Sequence, residues 1–391
     1  MIWFAIASLL PAVLLAAGAL WGGVWAAAGV LSITVLVFFL DKIANKTMPD
    51  THEASGAGLS IGLGVAHLLL LPLVVWAVSS NPALSMLDKV LLVTGAGLWF
   101  GQVSNSNAHE LIHRPLRSTR RLGRALYASI LYGHHASAHL RVHHVHAATD
   151  RDPNSARVGE GFWAFALRCA VGEYTEGLAA ESAARAQLEP KPSLWSHPFL
   201  SDALVSSTAL ALAFALGGWS GVGVLAILSA YAAWQLMLSD YVQHYGLRRR
   251  VLANGKPEPV GPHHSWNAPR WYSSAMMLNA PRHSDHHMNP ARPFPALALD
   301  RDTMPTLPQS LPVMAVIALV PPIWRRLMDH RAQRWRLKAE GPDGRRARDI
   351  PQAVLDHARG TGPGRRPLPN WPHDPMDDIP ARPGDRAPVQ H

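Results

Sequence analysis

Several stretches of this sequence contain no charged residue over lengths that suffice to cross a lipid bilayer. Three of them run from Met1 to Leu40, from Val90 to Ala108 and from Ala203 to Ser239. The hydrocarbon core of a bilayer is about 30 Å thick, and a helix needs roughly 20 apolar residues to span it. Apolar runs of this length therefore predict an all-α integral membrane protein.

The apolar stretches divide into six predicted transmembrane helices. The first stretch is interrupted at Trp21-Gly22-Gly23 and the last at Gly217-Gly218, and each interruption predicts a tight turn between two helices. A cleaved signal peptide is the alternative at the N-terminus, but no basic residue precedes the apolar run and no polar segment follows it. The first stretch thus supplies spans one and two, Ala57–Ser79 and Val90–Ser106 are spans three and four, and Ala203–Ser239 supplies spans five and six.

Basic residues predict the orientation of these helices. With six spans both termini lie on one side, and of the 36 Lys and Arg residues only Lys89 falls on the other side. Because cytoplasmic loops carry an excess of Lys and Arg, we expect both termini and the long loops to be cytoplasmic, in a bacterial inner membrane. The net charge of +9 reflects this orientation rather than nucleic-acid binding. The single cysteine, Cys169, excludes an internal disulfide and a cysteine-based zinc site.

The chain is therefore predicted to comprise five segments. Residues 303–324 are apolar, but prolines interrupt them, so we expect an interfacial or re-entrant segment there. From residue 341 onward the sequence contains ten Pro and six Gly, a composition that predicts a disordered tail. The predicted segments are spans one to four (1–106), a first cytoplasmic segment (107–201), spans five and six (202–239), a second cytoplasmic segment (240–340) and the tail (341–391).

Histidines are concentrated in the two predicted cytoplasmic segments. Of the 21 histidines only His67 lies inside a predicted span. His109 and His113 are separated by four residues, a spacing that places both rings on one face of a helix. His139 and His143 repeat this spacing, and His144 follows. A third group contains His283, His286 and His287, and His244 stands alone directly after span six.

This number of imidazoles predicts a site for two metal ions. His109-Glu110-x-x-His113 also matches the zinc-protease signature, but that signature alone is a weak match, and one tetrahedral ion takes only four ligands. Imidazole ligands suit zinc, copper, iron and nickel, so ligand type leaves the metal open. A metal site beneath an apolar helix bundle indicates a substrate that dissolves in lipid and an oxygen chemistry at C–H bonds.

Four short motifs resemble those of the integral-membrane alkane 1-monooxygenases, within the membrane desaturase–hydroxylase superfamily. That family carries a HELxHK box, a second box ending in HxxxHH, an NYxEHYG motif and an LQRHSDHH box. The present chain has HELIHR at 109–114, HLRVHH at 139–144, DYVQHYG at 240–246 and PRHSDHH at 281–287. All four motifs occur in the family's order.

The resemblance implies a six-helix membrane fold with a diiron site at its cytoplasmic end. It implies two non-haem iron ions and O₂ as co-substrate, with one oxygen atom inserted into the terminal methyl group of a medium-chain alkane. Electrons would come from rubredoxin, which a reductase recharges from NAD(P)H. The iron ligands implied by matching position are His109, His113, His139, His143, His144, His244, His283, His286 and His287.

The chain departs from the family motifs without losing an implied ligand. Arg114 replaces a Lys, Ala138 replaces a Glu and Val142 a Gly. In the third motif Asp240 replaces an Asn and Gln243 replaces a Glu, and in the fourth motif Pro281 replaces a Gln. These departures leave open a branched, cyclic or methyl-aromatic hydrocarbon as substrate, as in the related xylene-type hydroxylases. The carboxylates expected to orient ligand rings or tune the metals are Glu110, Asp240 and Asp285.

Two other functions are compatible with a histidine-rich membrane protein. A lipid acyl desaturase is one, although the His-Tyr-Gly motif argues against it. A metal transporter or sensor is the other, but transport predicts ionisable ligands near the membrane midplane, where only His67 lies. His134, His135 and His146 match no ligand position and are predicted to be solvated or to support the ligands. His263 and His264 are predicted to be loop residues.

Overall fold

The computed structural model describes residues 1–44, 46–49 and 55–339, and the predicted tail at 341–391 lies outside these described residues. Met1–Ala339 forms one compact unit. Within the described residues the fold is helical, with only isolated β-bridges such as that between Thr47 and Arg270. The α-helices are α1 (Ile2–Trp21), α2 (Gly23–Ile33), α3 (Val35–Ala44), α4 (Ala57–Ser80), α5 (Met86–Leu98), α6 (Asn105–His113), α7 (Arg117–Ser129), α8 (His135–Ala138), α9 (His144–His146), α10 (Phe162–Ala186), α11 (Pro198–Gln243), α12 (Trp271–Met276), α13 (His283–Met288), α14 (Leu311–Ala318) and α15 (Pro321–Ala339).

Helices α1 and α2 form a tight hairpin at the predicted glycine turn. Gly22 and Gly23 have φ values of 64° and 55°, a left-handed backbone conformation that glycine adopts without steric cost. The two helices then pack so closely that a Cβ on Gly18 would lie 2.8 Å from the Cα of Ala26. The backbone N–H of Gly23 donates to Asp88 Oδ1 at 2.6 Å, which ties this turn to the start of α5.

The helical stretch from Met86 to His113 begins with a capping box and contains a π-helical turn. Ser85 accepts from the backbone N–H of Asp88, and the Asp88 carboxylate accepts from the N–H of Ser85. Residues Trp99–Ser104 are π-helical and join α5 to α6. Such π-helical turns are rare and frequently occur at functional sites. This one lies directly before the helix that carries the first histidine pair.

Helix α11 consists of two helices that double back at the second predicted glycine turn. Gly217 and Gly218 have non-helical backbone angles. A Cβ on Gly221 would lie 2.1 Å from the carbonyl oxygen of Ala213. Eight residues of a straight helix would cover about 12 Å, so the chain must reverse between these two positions.

The second half of α11 packs against the π-helical turn. A Cβ on Gly97 would lie 2.1 Å from the Tyr231 ring, and one on Gly101 would lie 2.3 Å from Gln235 Nε2. Gln235 Nε2 also donates to the Gly97 carbonyl at 2.8 Å. Asn105 continues this contact by donating to the Ala232 carbonyl at 3.0 Å. The two glycines thus permit the close approach that holds α6 beside α11.

Four helices of the described part of the chain are long and apolar enough to cross a membrane: Ile2–Trp21, Gly23–Ala44, Ala57–Ser80 and Pro198–Gln243. The last of these is the α11 hairpin. The predicted fourth span corresponds to the Met86–His113 stretch, which the π-helical turn divides into shorter helices. The protein is therefore an integral membrane protein whose helices meet the histidine-bearing segments at one end.

Candidate metal centre

The nine histidines from the four motifs converge in two adjacent clusters. Within each cluster one ring nitrogen from every histidine lies within 4.8 Å of all the others. We call them the five-histidine cluster and the four-histidine cluster. The first contains His109, His113, His139, His144 and His286, and the second contains His143, His244, His283 and His287.

The first motif places two rings on one face of α6, as its spacing predicts. His109 and His113 are four residues apart, and their ring centroids are 5.0 Å apart. Asn107 anchors the same helix by donating to the Ser60 carbonyl of α4 at 2.9 Å. Both rings belong to the five-histidine cluster.

The second motif corrects the predicted pairing of its histidines. His139–His143 is π-helical, so residues five apart, rather than four apart, come to lie on one face. His139 Nε2 therefore lies 3.0 Å from His144 Nε2 in the five-histidine cluster. His143 turns to the other cluster, where its Nε2 lies 3.2 Å from His287 Nε2.

The fourth motif, PRHSDHH, also supplies both clusters. On α13, His283 and His287 face the four-histidine cluster, whereas His286 faces the five-histidine cluster. His286 Nε2 lies 3.1 Å from His144 Nε2. His244, directly after the last residue of α11, lies with its Nε2 2.9 Å from that of His283. Each cluster thus combines ring nitrogens from the second and fourth motifs.

The arrangement of ring nitrogens fits two bound metal ions. The Nε2 atoms of three other rings lie 3.1–3.2 Å from His287 Nε2. These rings belong to His143, His244 and His283. A hydrogen bond between two rings uses one proton, so hydrogen bonding alone cannot satisfy this set. Two nitrogens that bind one ion at right angles and about 2.1 Å are about 3 Å apart. In the other cluster, His109 Nε2 is buried without a hydrogen-bond partner, as expected of a nitrogen available to a metal.

Burial keeps most of these rings in the form that binds metals. Burial, reinforced by the neighbouring rings, lowers the pKa of His113, His139, His144 and His286 well below the usual range. These imidazoles are therefore neutral near pH 7, and a neutral ring offers a nitrogen lone pair. His143 differs: burial would lower its pKa, but the charge and hydrogen bond of Asp152 outweigh burial and raise it.

Asp152 orients His143 and was not predicted from the sequence. Its Oδ2 lies 3.0 Å from His143 Nδ1, which leaves Nε2 to face the four-histidine cluster. Ser155 Oγ donates to the same oxygen at 2.6 Å, and the Asn154 N–H donates to Oδ1 at 3.1 Å. A carboxylate on the outer nitrogen of a metal-binding His fixes its tautomer and ring orientation. The one available signal was the position of Asp152 in the loop directly after the second motif.

A second unpredicted carboxylate, Glu173 of α10, binds His135. Glu173 is fully buried, with Oε1 2.9 Å from His135 Nδ1, and it also accepts from Asn154 Nδ2. Burial would raise the pKa of Glu173, but the charge and hydrogen bond of His135 dominate and lower it to about 2. His135 is itself buried, so it is a supporting residue rather than a solvated one. No sequence pattern marks Glu173.

The three carboxylates predicted to orient ligand rings have other partners in the described part of the chain. Glu110 forms an ion pair with Arg114 at 2.7 Å, and burial raises the pKa of Glu110 to about 7. Asp285 pairs with Arg292 at 2.6 Å. Asp240 accepts from Asn154 Nδ2 at 2.7 Å. Asp152 makes the ring contact that these carboxylates were expected to make.

The remaining histidines near the motifs lie outside both clusters. His134 packs against the Tyr132 and Tyr174 rings, and His146 is only partly buried. His263 and His264 belong to a short 3-10 helix after a loop, and with Glu258 they form a separate group of potential metal ligands. His264 Nδ1 accepts from the Gly261 N–H at 2.8 Å, so in the neutral ring Nε2 carries the proton and donates to Glu258. This tautomer disfavours metal binding there.

Comparisons with known proteins agree with this site. A sequence model of the fatty acid desaturase family matches residues 89–318. Alkane 1-monooxygenase 1 of Alcanivorax borkumensis is 32% identical over 271 residues, which are 69% of this chain and 66% of that protein. Alkane 1-monooxygenase 2 of Pseudomonas aeruginosa is 31% identical over 306 residues, 75% of this chain and 80% of that protein. The xylene/toluene monooxygenase hydroxylase component of Pseudomonas putida is 27% identical over 229 residues, which are 56% of this chain and 58% of that protein.

A membrane helix bundle ending in two histidine clusters, together with the family match, defines the class: the chain belongs to the fatty acid desaturase family. Within that family it belongs with the alkane 1-monooxygenases, so the resemblance predicted from the motifs is confirmed. The matched region spans 66% of the length of the relatives from Alcanivorax borkumensis and Ectopseudomonas oleovorans.

Proposed function

We propose that the protein is a membrane non-haem diiron monooxygenase that converts a medium-chain alkane to the primary alcohol. The nine clustered histidines would hold two iron ions. The reaction consumes the alkane, O₂, two electrons and two protons, and it yields the 1-alcohol and water. One oxygen atom of O₂ enters the terminal C–H bond and the other leaves as water.

The observation that carries this proposal is the convergence of nine histidine side chains into two adjacent clusters. Two clusters argue for two ions, because each contains at least four ring nitrogens around one position. Iron fits better than zinc because zinc has no redox chemistry, and the named relatives are monooxygenases. Bound iron would supply the reduction of O₂ and the oxidation of the C–H bond.

The protein's own residues orient the ligands and exclude water from the site. Trp99, Phe100 and Val103 of the π-helical turn are fully buried, and they belong to the predicted fourth span, which leads along the chain to His109. An apolar substrate that approaches from the helix bundle would contact these three apolar side chains before it reaches the histidine clusters. Asp152 holds His143 from the opposite side of its ring. Apolar residues of the π-helical turn thus lie on the proposed path of the substrate, whereas the polar side chain of Asp152 supports a histidine of the site.

The proposal includes six transmembrane helices with both termini and the clusters on the cytoplasmic side of a bacterial inner membrane. The two glycine turns and the distribution of Lys and Arg support this topology. A cytoplasmic site is accessible to a soluble electron donor, and we propose rubredoxin, a one-electron carrier that would deliver its electrons in two steps. Two such steps supply the two electrons that the reaction requires.

Metal analysis and product analysis test the proposal together. Purified protein should contain about two irons per chain, and chelation should abolish its activity. With octane, rubredoxin, reductase, NADH and ¹⁸O₂, we expect labelled 1-octanol. One zinc per chain with peptide cleavage would indicate a protease, an alkene product would indicate a desaturase, and label from water would exclude a monooxygenase.

A second candidate substrate class is a methyl-aromatic or cyclic hydrocarbon. The similarity to the xylene/toluene hydroxylase component favours its consideration. So do the departures at Asp240 and Gln243, which lie within the motif that contains His244. Gln243 uses its Nε2 to bind the Ala280 carbonyl at 3.2 Å, directly beside Pro281. If octane is inert while xylene or a cycloalkane is hydroxylated, these three positions are the first to exchange for the family residues.

A further inference from the structure

Helix α10 has one face that supports the histidine clusters. Its fully buried residues Phe162, Phe165, Cys169 and Glu173 recur at intervals of three or four, the period of a single helix face. Glu173 binds His135 on this face. Further along, a Cβ on Gly177 would lie 3.1 Å from the Cβ of Ala138, so the helix packs tightly on α8. The position of α10 therefore affects the second histidine motif.

The opposite face of α10 is an exposed apolar stripe. The exposed fractions are 54% for Trp163, 72% for Leu167, 58% for Val171 and 50% for Tyr174. Positions i, i+4, i+8 and i+11 form one line along a helix about 17 Å long. Scattered exposed apolar residues are ordinary on a protein, but a contiguous apolar surface marks an interaction site.

This apolar stripe continues onto α14 and the start of α15. Trp163 Nε1 donates to the Leu319 carbonyl at 3.2 Å, which joins α10 to the end of α14. Next to this contact, Val316, Val320 and Ile323 are 67%, 46% and 53% exposed. The surface is therefore built from two parts of the chain that are distant in sequence.

At its other end the apolar surface leads to a membrane-crossing helix. Between α10 and α11, Leu194 and Trp195 are 82% and 88% exposed. Leu204, on the first half of α11, is 69% exposed. Because α11 is long and apolar enough to cross the membrane, its exposed apolar side chains face lipid. Tyr174, at this end of the stripe, contacts Phe199 of α11 with ring centroids 5.8 Å apart, so the stripe adjoins this helix.

We propose that α10 and α14 lie in the bilayer interface, with the exposed apolar stripe inserted among the lipid headgroups and upper acyl chains. Helix α10 contains Arg168, Glu173, Glu176 and Glu181 and does not qualify as a span, whereas an amphipathic helix in the interface plane tolerates such charges. Trp163 and Tyr174 occupy the two ends of the stripe, and these residue types are enriched at membrane interfaces. The occupant of the stripe is therefore the bilayer in which the spans are embedded.

This assignment changes the expected environment of the first predicted cytoplasmic segment. Part of residues 107–201 would be a membrane-seated layer between lipid and the histidine clusters, rather than a cap surrounded by water. The bilayer would hold the outer face of α10 while its inner face holds His135. Neither iron nor substrate enters this inference, so it stands independently of the proposed reaction.

Spin labels on single cysteines measure the insertion directly. Because Cys169 is the single cysteine of the chain, Cys169→Ala provides a background without thiols. Nitroxides are then placed by Leu167→Cys and Val171→Cys on the stripe, by Leu204→Cys as a lipid-facing reference and by Arg151→Cys on an exposed loop. Each variant is reconstituted in vesicles of phosphatidylethanolamine and phosphatidylglycerol. Collision with O₂, which concentrates in lipid, is compared with collision with a water-soluble nickel chelate.

We expect the ratio of O₂ to nickel accessibility at both stripe positions to match that of Leu204→Cys and to exceed that of Arg151→Cys several-fold. A ratio equal to that of Arg151→Cys at both stripe positions would overturn the proposal, because the stripe would then face water. Dipolar broadening between labels on two chains, with low accessibility to both reagents, would overturn it in favour of an interface between copies. Agreement of the two neighbouring labels guards against a local disturbance by either substitution.

Discussion

Asp152 and His143 form a buried pair in which the carboxylate binds the ring nitrogen that faces away from the four-histidine cluster. Nδ1 of His143 lies 3.0 Å from Asp152 Oδ2, and neither side chain is appreciably exposed. The carboxylate therefore selects the tautomer with a proton on Nδ1 and a free lone pair on Nε2. A proposed metal ligand on a π-helical turn is in this way oriented by a residue in the following loop.

We predict that Asp152→Ala weakens iron binding by about 10–100-fold, the usual effect of losing a carboxylate that supports a metal-binding His. Asp152→Asn should lose less, because its amide oxygen still accepts from Nδ1–H. Iron retained per chain is measured after equilibration with graded concentrations of a chelator. The matched control is Asp150→Asn, two residues away, where the carboxylate is 78% exposed and contacts only arginines. Equal iron retention in Asp152→Ala and the control would count against the role of Asp152.

The second prediction tests whether a histidine binds iron because it occupies a motif position or because it lies near other histidines in the sequence. His244 is isolated in the sequence but fully buried within the four-histidine cluster, whereas His134 neighbours the second motif and lies outside both clusters. His244→Ala should lose iron and nearly all hydroxylation. His134→Ala should keep both metals. Iron content and product formation are normalised to the amount of folded protein in the membrane, and retention of iron by His244→Ala would contradict the ligand assignment.

We expect a different result for His135, the neighbour of His134, because its side chain binds the buried carboxylate of Glu173. Its removal leaves the buried Glu173 carboxylate without one of its hydrogen-bond partners, a change that costs about 1–3 kcal/mol. His135→Ala should therefore lower the melting temperature, and iron should be lost only as the protein unfolds. Adding Glu173→Gln should restore part of the stability, since the amide carries no charge. A double variant less stable than His135→Ala would exclude this explanation.

A further prediction concerns a contact between the region that the family model matches and α15, which lies beyond it. Tyr245, next to His244, donates to Asp329 Oδ1 of α15 at 2.5 Å and accepts from the Gly159 N–H at 2.8 Å. Trp324 of the same helix packs on the Tyr245 ring at 5.3 Å between centroids. We expect Asp329→Ala to destabilise the protein by about 1 kcal/mol, the usual effect of removing one hydrogen bond, and to reduce iron retention in the four-histidine cluster.

A double-mutant cycle tests this contact. If Tyr245 and Asp329 act through one hydrogen bond, the effects of Tyr245→Phe and Asp329→Ala on the melting temperature are less than additive. Arg326→Ala on the exposed side of α15 serves as the control and should change neither stability nor iron content. Strict additivity would show that the two side chains act separately.

The fourth prediction concerns His67, the one histidine inside a predicted span. Ser129 Oγ donates to the Leu126 carbonyl at 2.8 Å, so it accepts from His67 Nε2 at 2.8 Å. His67 Nδ1 then accepts from Ser104 Oγ, the last residue of the π-helical turn. His67→Leu breaks both contacts, and we expect iron retention to fall in the cluster containing His109. His67→Gln should rescue part of it, and Ser229→Ala, another buried membrane position, is the control.

The sequence predicts the helix turns from local chemistry, and it predicts the nine clustered histidines through the resemblance of its four motifs to those of the family. Glycine at Gly22 and Gly217 marks a change of chain direction, and apolar length marks the helices between. The motif spacing selects the same nine rings that the structure brings together. For these features a short window of residues contains the necessary information.

The π-helical turns and the supporting carboxylates were not predictable in this way. The turn at Trp99–Ser104 is where Gly101 admits the Gln235 side chain from a distant helix, so its hydrogen-bond register depends on tertiary packing. Likewise Glu173 is adjacent to His135 only because α10 packs on α8. The sequence contains 27 acidic residues, and no local pattern distinguishes the one that lies behind a histidine.

The division of the second and fourth motifs between both clusters has a consequence for biogenesis. His143 and His287 meet across 144 residues, and His144 and His286 across 142. A nascent chain that has synthesised only the first two motifs has four of the five rings of the five-histidine cluster but only one of the four rings of the four-histidine cluster. The four-histidine cluster can be completed only after the last membrane hairpin has inserted and the fourth motif has left the ribosome. The two metal positions are therefore expected to fill in order, so chains stalled before His283 should be recovered with at most one iron, bound at the five-histidine cluster.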